Sequence, residues 1–276
     1  MHYLVTTSHA VLLVNSTDGS YREVHSGRGL YFGITNDAER IFIAARGELN
    51  SSGTPPANER GCILVFDREL KLIDTWTSPF PLRDMHQILW CREQLWITCS
   101  FENLIAITDG KVWRQWFPLG VSESEPFDRN HFNTLTPHYD ELVIVATNRG
   151  PSEFLHFDAA SLTLLRRYAF GVHSHNAWRQ GTEWLTCSSG EGRIIGSNGF
   201  MLACGKFPRG IAITENEIAV GLSELAERHE RDLTSGAINI YTRAWELRDT
   251  FALPRFGLVL DILAVGANQL GHSALR

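Results

Sequence analysis

The chain has 276 residues, is 43% hydrophobic and carries a formal net charge of -6. Its length and apolar content suit one large domain with a sizeable core. The acidic balance argues against a general nucleic-acid or anionic-membrane surface, and no apolar stretch is long enough to span a bilayer as a helix.

The start, MHYLVTTSHAVLLVNSTDG, alternates like a strand and lacks a basic leader, so it reads as structure rather than as a signal peptide. It continues into YLVTTSHAVLLVNSTDGSYREV, which reads as three strands in the order B, C, D with no A before them. From Gly29 the chain reads GLYFGITNDAERIFIAARG, an insertion, then CILVFDRELKLIDTW, a four-stranded unit. The clearest unit starts at Met85: strand A in HQILW, B in LWITCS, C in LIAITD and D in KVWRQWFPL. The order recurs from His131 (HFNTLT, ELVIVAT, FLHFD, LLRRYAF) and from His175 (HNAWRQGTEWLTCSSGEGRIIG). It recurs again from Arg209 (RGIAITENEIAVGLS, a charged insertion, GAINIYTRAWELRDTFAL). The last segment, LVLDILAVGANQL, reads as a lone A strand.

A period of about 40–45 residues is that of a four-stranded propeller blade. The lone A strand and the N-terminal B, C and D strands complete each other, as ring closure requires. No compositional break marks a linker. The expectation is an all-β, six-bladed propeller formed by residues 1–276 as a single domain. The odd set of five cysteines without metal-finger spacing reads as reduced thiols in a cytoplasmic protein. The tryptophans fall mostly within strands and read as packing between blades.

In a propeller the A strands line the channel, and the D-to-A and B-to-C connections open on one face. The beginnings of the A strands therefore meet at a channel mouth. Three successive ones carry histidine: Asp84-Met85-His86, Asn130-His131-Phe132-Asn133 and His173-Ser174-His175-Asn176. His86 and His175 share a column, and His131 stands one residue earlier with Phe132 in that column. Convergent imidazoles with an open position suit a divalent transition metal such as Zn, Fe, Cu or Mn. The expected ligands are His86, His131 and His175, with His173 and Asp84 as alternatives. Asn133, Asn176 and Trp178 would face a substrate, and Arg209 would hold its anionic group. Arg46 and Arg149, from B-to-C loops, could join Arg209.

Glu102 and Glu224, with Glu48 and Glu191, lie in the same loops and could supply a general base. No phosphate-cradle, dinucleotide, zinc-protease or serine-hydrolase motif is present. The leading expectation is a metal-dependent enzyme for a small polar or anionic substrate. A polar lining without metal and a non-catalytic propeller that binds a peptide or protein are the alternatives. Neither nucleic acid nor membrane is expected as a partner.

The succession DMHQILW, LWITCSFENLIAI, NHFNTLT, HSHNAW, PRGIAIT and IAVGLSEL resembles a group of uncharacterised bacterial six-bladed propellers. The resemblance covers about Asp84 to Gly236 and implies the fold and a set of polar channel residues, but no reaction. HSHNAW stands where that group has a proline-histidine-serine pattern. More broadly, the chain is similar in fold to gluconolactonase- and regucalcin-like propellers. These hold a divalent metal through carboxylate and asparagine oxygens and hydrolyse sugar lactones. That likeness implies an oxygen-rich set made of Asn133, Asn176 and Asp261.

Overall fold

The structure is a computed structural model that describes residues 1–47, 59–120, 128–227 and 229–266. The chain opens with β1 (His2–Thr7), β2 (Ala10–Asn15) and β3 (Tyr21–Ser26). Blade 1 follows as β4 (Tyr31–Asn36), β5 (Ile41–Ala45), β6 (Cys62–Phe66) and β7 (Leu72–Trp76). Blade 2 is β8 (Met85–Cys91), β9 (Gln94–Cys99), β10 (Leu104–Thr108) and β11 (Trp113–Trp116). Blade 3 is β12 (Phe132–His138), β13 (Glu141–Ala146), β14 (Pro151–Asp158) and β15 (Leu164–Val172). Blade 4 is β16 (Ser174–Gln180), β17 (Glu183–Ser188), β18 (Arg193–Gly196) and β19 (Met201–Ala203). Blade 5 is β20 (Phe207–Ile213), β21 (Glu217–Ser223), β22 (Gly236–Thr242) and β23 (Leu247–Leu253). The last strand, β24 (Val259–Val265), pairs antiparallel with β1 and completes blade 6. The six-bladed ring closes as the repeat requires.

Burial follows strand position. The middle strands β5 and β6 are buried at every residue, because neighbouring blades cover both faces. They read as unbroken apolar runs rather than as alternation. The outer strands β3, β7 and β15 are largely exposed and carry the charged residues. The contact between blades is aromatic where the sequence places tryptophan: Phe42 stacks on Trp90 at 5.0 Å and 7°. Trp96, Trp178, Trp184 and Trp245 are all buried. Each large apolar side chain buried this way contributes about 1.5–3 kcal/mol.

All five cysteines are free thiols. No helix among the described residues is long and apolar enough to cross a membrane.

Candidate metal and anion site at the channel mouth

Every A strand carries a β-bulge at the same place. In each blade two A-strand residues stand opposite one residue of strand B. The pairs are Phe32-Gly33, His86-Gln87, Asn133-Thr134, His175-Asn176, Arg209-Gly210 and Leu260-Asp261. A bulge interrupts the strict alternation of faces and re-aims side chains. Here it lets both members of a pair border the axis. All of them except Phe32 and Gly210 line one narrow cavity of about 10 Å³, room for about one water molecule.

The second members stitch the ring together. Leu135 N–H donates to Gln87 Oε1 at 2.8 Å, and Asn176 N–H to Thr134 Oγ1 at 2.9 Å. Gly210 N–H donates to Asn176 Oδ1 at 2.8 Å, and Ile34 N–H to Asp261 Oδ2 at 3.3 Å. Each of these bonds joins one blade to the next. The remaining two junctions use glycine. A Cβ on Gly33 would stand 2.4 Å from the Ile88 nitrogen, and one on Gly210 would stand 2.9 Å from the Asp261 Cα. Backbone replaces side chain at those contacts.

The first members carry the chemistry. Arg209 Nη2 donates to His86 Nδ1 at 2.7 Å, and its guanidinium lies 5.2 Å from the Phe32 ring centre. Among the described residues no carboxylate forms an ion pair with Arg209. Burial pushes the Arg209 pKa down to about 10, against the pull of Asp261 and Asp84. Burial also pushes His86 down to about 4, although Asp84 favours its charged form. His175 is held well below the usual imidazole range by burial and by Arg209. Both rings are therefore neutral at neutral pH. His175 Nδ1 faces the His173 carbonyl oxygen at 2.9 Å and Ser189 Oγ at 3.0 Å. The carbonyl can only accept, so the proton sits on Nδ1 and the lone pair on Nε2.

In blades 1 to 4 the backbone two residues before the ring position enters the strand in a left-handed conformation. Leu30, Asp84, His131 and His173 have φ of 40°, 51°, 49° and 46°. Non-glycine residues there cost about 1–3 kcal/mol each. Asp84, His86 and His131 offer ligand atoms that all lie within 4.8 Å of one another. His86 Nε2 is 3.6 Å from Asp84 Oδ1, is buried, and has no hydrogen-bond partner. His131 Nδ1 bonds Asp128 Oδ1 at 2.6 Å, and Arg149 bonds the other Asp128 oxygen. Burial alone would raise Asp84, but His86, His131 and Arg46 hold it below the usual carboxylate range.

Arg46 has a structural cause for its place. At the ends of β9, β17 and β21, Ser100, Ser189 and Ser223 donate to A-strand carbonyls of the next blade. Blade 1 has Arg46 at that position. It is held by Glu59 through Nε and Nη2 at 2.8 and 2.9 Å, and it reaches Asp84 Oδ1 at 3.2 Å.

Several expectations are corrected here. His131 is not one residue before the His86 column but two. It aligns with Asp84 and His173, and Asn133 rather than Phe132 occupies the column. The A-to-B hairpin turns carried this signal: Arg92-Glu93, Tyr139-Asp140 and Gly181-Thr182 lie at equal distances after His86, Asn133 and His175. The metal-competent cluster unites His86 and His131 with Asp84, whereas His175 and His173 are not in it.

Trp178 is buried against Trp245 between blades 4 and 5 and does not line the cavity. Glu102 pairs with Arg83, and exposed Glu224 faces Lys206 at 3.3 Å; neither lines the cavity. Glu191 accepts from Ser188 Oγ at 2.6 Å, and Glu48 lies outside the described residues. Asn133 lines the cavity and donates to the Ser174 carbonyl at 3.0 Å. The oxygens of Asn176 and Asp261 accept backbone N–H groups, which occupies most of the proposed oxygen-rich set. Asp128, Glu59 and Phe32 belong to the site and were not legible beforehand.

No protein-family model matches the chain. No curated protein matches it. Many solved structures are similar in fold. One is a chain of a nidogen/laminin complex, at 12% identity and TM-score 0.67, covering 95% of this chain and 97% of that one. Another is a luciferin-regenerating enzyme, at 11% identity and TM-score 0.59, covering 86% and 80%. A third is streptogramin B lyase, at 12% identity and TM-score 0.53, covering 92% and 82%. At such identity these likenesses establish the six-bladed fold and nothing about the reaction.

Proposed function

We propose that the channel mouth is the active site of a metal-dependent enzyme whose substrate is small and anionic. The observation that carries this reading is the convergence of Asp84, His86 and His131 around the buried, unpartnered Nε2 of His86. Two imidazoles and one carboxylate form a donor set suited to Zn, Fe or Mn. A buried nitrogen without a partner calls for a missing ion or proton. Such a metal would supply Lewis acidity or activate water.

The chain's own residues have separable roles in this reading. Asp128 Oδ1 accepts a hydrogen bond from His131 Nδ1–H, which leaves that ring's lone pair on Nε2. Arg46 and Glu59 fix Asp84. Arg209 stands on the opposite side of the axis as the anchor for a small carboxylate, which would have to part Arg209 from His86, because the closed cavity of about 10 Å³ has room for only about one water molecule. The enzyme names among the fold neighbours are compatible with this use of the propeller but carry no weight for the reaction.

Elemental analysis of the purified protein beside Asp84→Asn, His86→Ala and His131→Ala tests the reading. Near-stoichiometric transition metal in the parent, lost from each folded variant, is the expected result. Absence of metal in the parent after incubation with Zn, Fe, Cu and Mn salts overturns it. One observation favours a metal-free anion site as the second reading: Arg209 donates to His86, which puts the ring's proton on the nitrogen a metal would need.

A further inference from the structure

Arg209 and His86 belong to blades 5 and 2, which are diametrically opposite in the ring. Their 2.7 Å hydrogen bond joins residues 123 apart in sequence and bars the channel. A guanidinium only donates, so His86 Nδ1 is the acceptor and the neutral ring carries its proton on Nε2. Nε2 is also the atom that faces Asp84 at 3.6 Å. A nitrogen cannot hold a proton and a metal together. His131 and His175 are arranged the other way, with Nδ1 turned to Asp128 and to the His173 carbonyl. A ligating imidazole normally has that second arrangement, donating its other N–H to an acceptor. Among the described residues Arg209 has no carboxylate to hold it elsewhere.

We infer that Arg209 is a latch that couples anion binding to metal binding. The inference rests on the metal site proposed above. When a small carboxylate enters, the guanidinium fork exchanges one imidazole nitrogen for two carboxylate oxygens, a stronger partner. His86 is then released to move its proton from Nε2 to Nδ1. The ring stays neutral and loses no proton; only the nitrogen that bears it changes. Nε2 then offers its lone pair beside Asp84 and His131. Because coupling between bound states is reciprocal, each ligand tightens the other by the same factor.

Calorimetric titration of Zn(II) into the protein, with acetate or with chloride at equal ionic strength, measures this coupling. Acetate is expected to tighten zinc about tenfold, within the usual range of such couplings. Arg209→Met is expected to bind zinc tightly without acetate and to ignore acetate. Nitrogen-15 NMR of the parent protein supplies a readout that a mere loss of positive charge would not move. The His86 proton should sit on Nε2 in the metal-free protein and on Nδ1 with zinc and acetate. Zinc binding that does not respond to acetate, or a His86 proton already on Nδ1 without ligands, overturns the latch and leaves the metal site standing. Zinc binding by neither protein overturns the metal site itself.

Discussion

At the scale of single residues, Asp261 alone among the second members of the bulge pairs is both structural and titratable. Burial pushes Asp261 up to about 6, although Ile34 and Ile262 N–H groups favour its charged form. In the unfolded chain an aspartate titrates near about 3.9. The folded protein therefore binds the proton more tightly than the unfolded chain. The stability from protonated Asp261 is fully present below about pH 4 and is lost as pH rises through about 6. A shift of this size corresponds to about 3 kcal/mol. Denaturant unfolding at pH 4 to 7 should show the parent losing stability relative to Asp261→Asn by roughly that amount. A difference between the two proteins that stays constant with pH would contradict the assignment.

His86, His175, Arg209 and Asn133 line the cavity, Asn133 in the column where the repeat had suggested Phe132. Asp128 and Glu59 were not legible, because each acts through a loop whose path no periodicity describes.

At the scale of the strand, the bulge decides what the site contains. Period-two alternation predicts that neighbouring residues face opposite sides, yet both His86 and Gln87 line the cavity. Gly33 and Gly210 show how tightly the bulges pack. A methyl group at Gly33 would press on the backbone of His86, Gln87 and Ile88, none of which can swing aside. Gly33→Ala should therefore cost about 2 kcal/mol or more, in the range of core overpacking. Gly150→Ala, where nothing lies within 4 Å and φ is ordinary, serves as its control. It should stay within about 0.5 kcal/mol of the parent. Thermal unfolding of the two variants checks this, and equal midpoints would show that the bulge yields.

At the scale of the whole molecule, the ring depends on one seam. β24 pairs with β1 over six residues, and Tyr3 Oη donates to Glu217 Oε1 at 2.8 Å on the neighbouring blade. A chain ended after Gly257 would lose β24, leaving β1 as an unpaired apolar edge and the channel without Leu260 and Asp261. Such an edge invites association with other chains. The truncated protein should be recovered aggregated or without a cooperative unfolding transition. A soluble, cooperative monomer would mean that five blades hold without closure.

The blade count, the strand order and the closure were determined by the sequence, because each is written in local patterns repeated along the chain. Apolar runs mark the covered middle strands, charged runs the outer ones, and two-residue turns set the spacing. The turn spacing puts His86, Asn133, His175 and Arg209 in one column, where the strand pattern alone suggested Phe132 in place of Asn133. Tertiary structure alone decided which of them meet. His86 finds Asp84 and His131 on its own side and Arg209 across the axis, because closing a six-membered ring brings opposite blades together. It also decided which nitrogen of each histidine holds the proton, since that depends on partners supplied by other blades and loops.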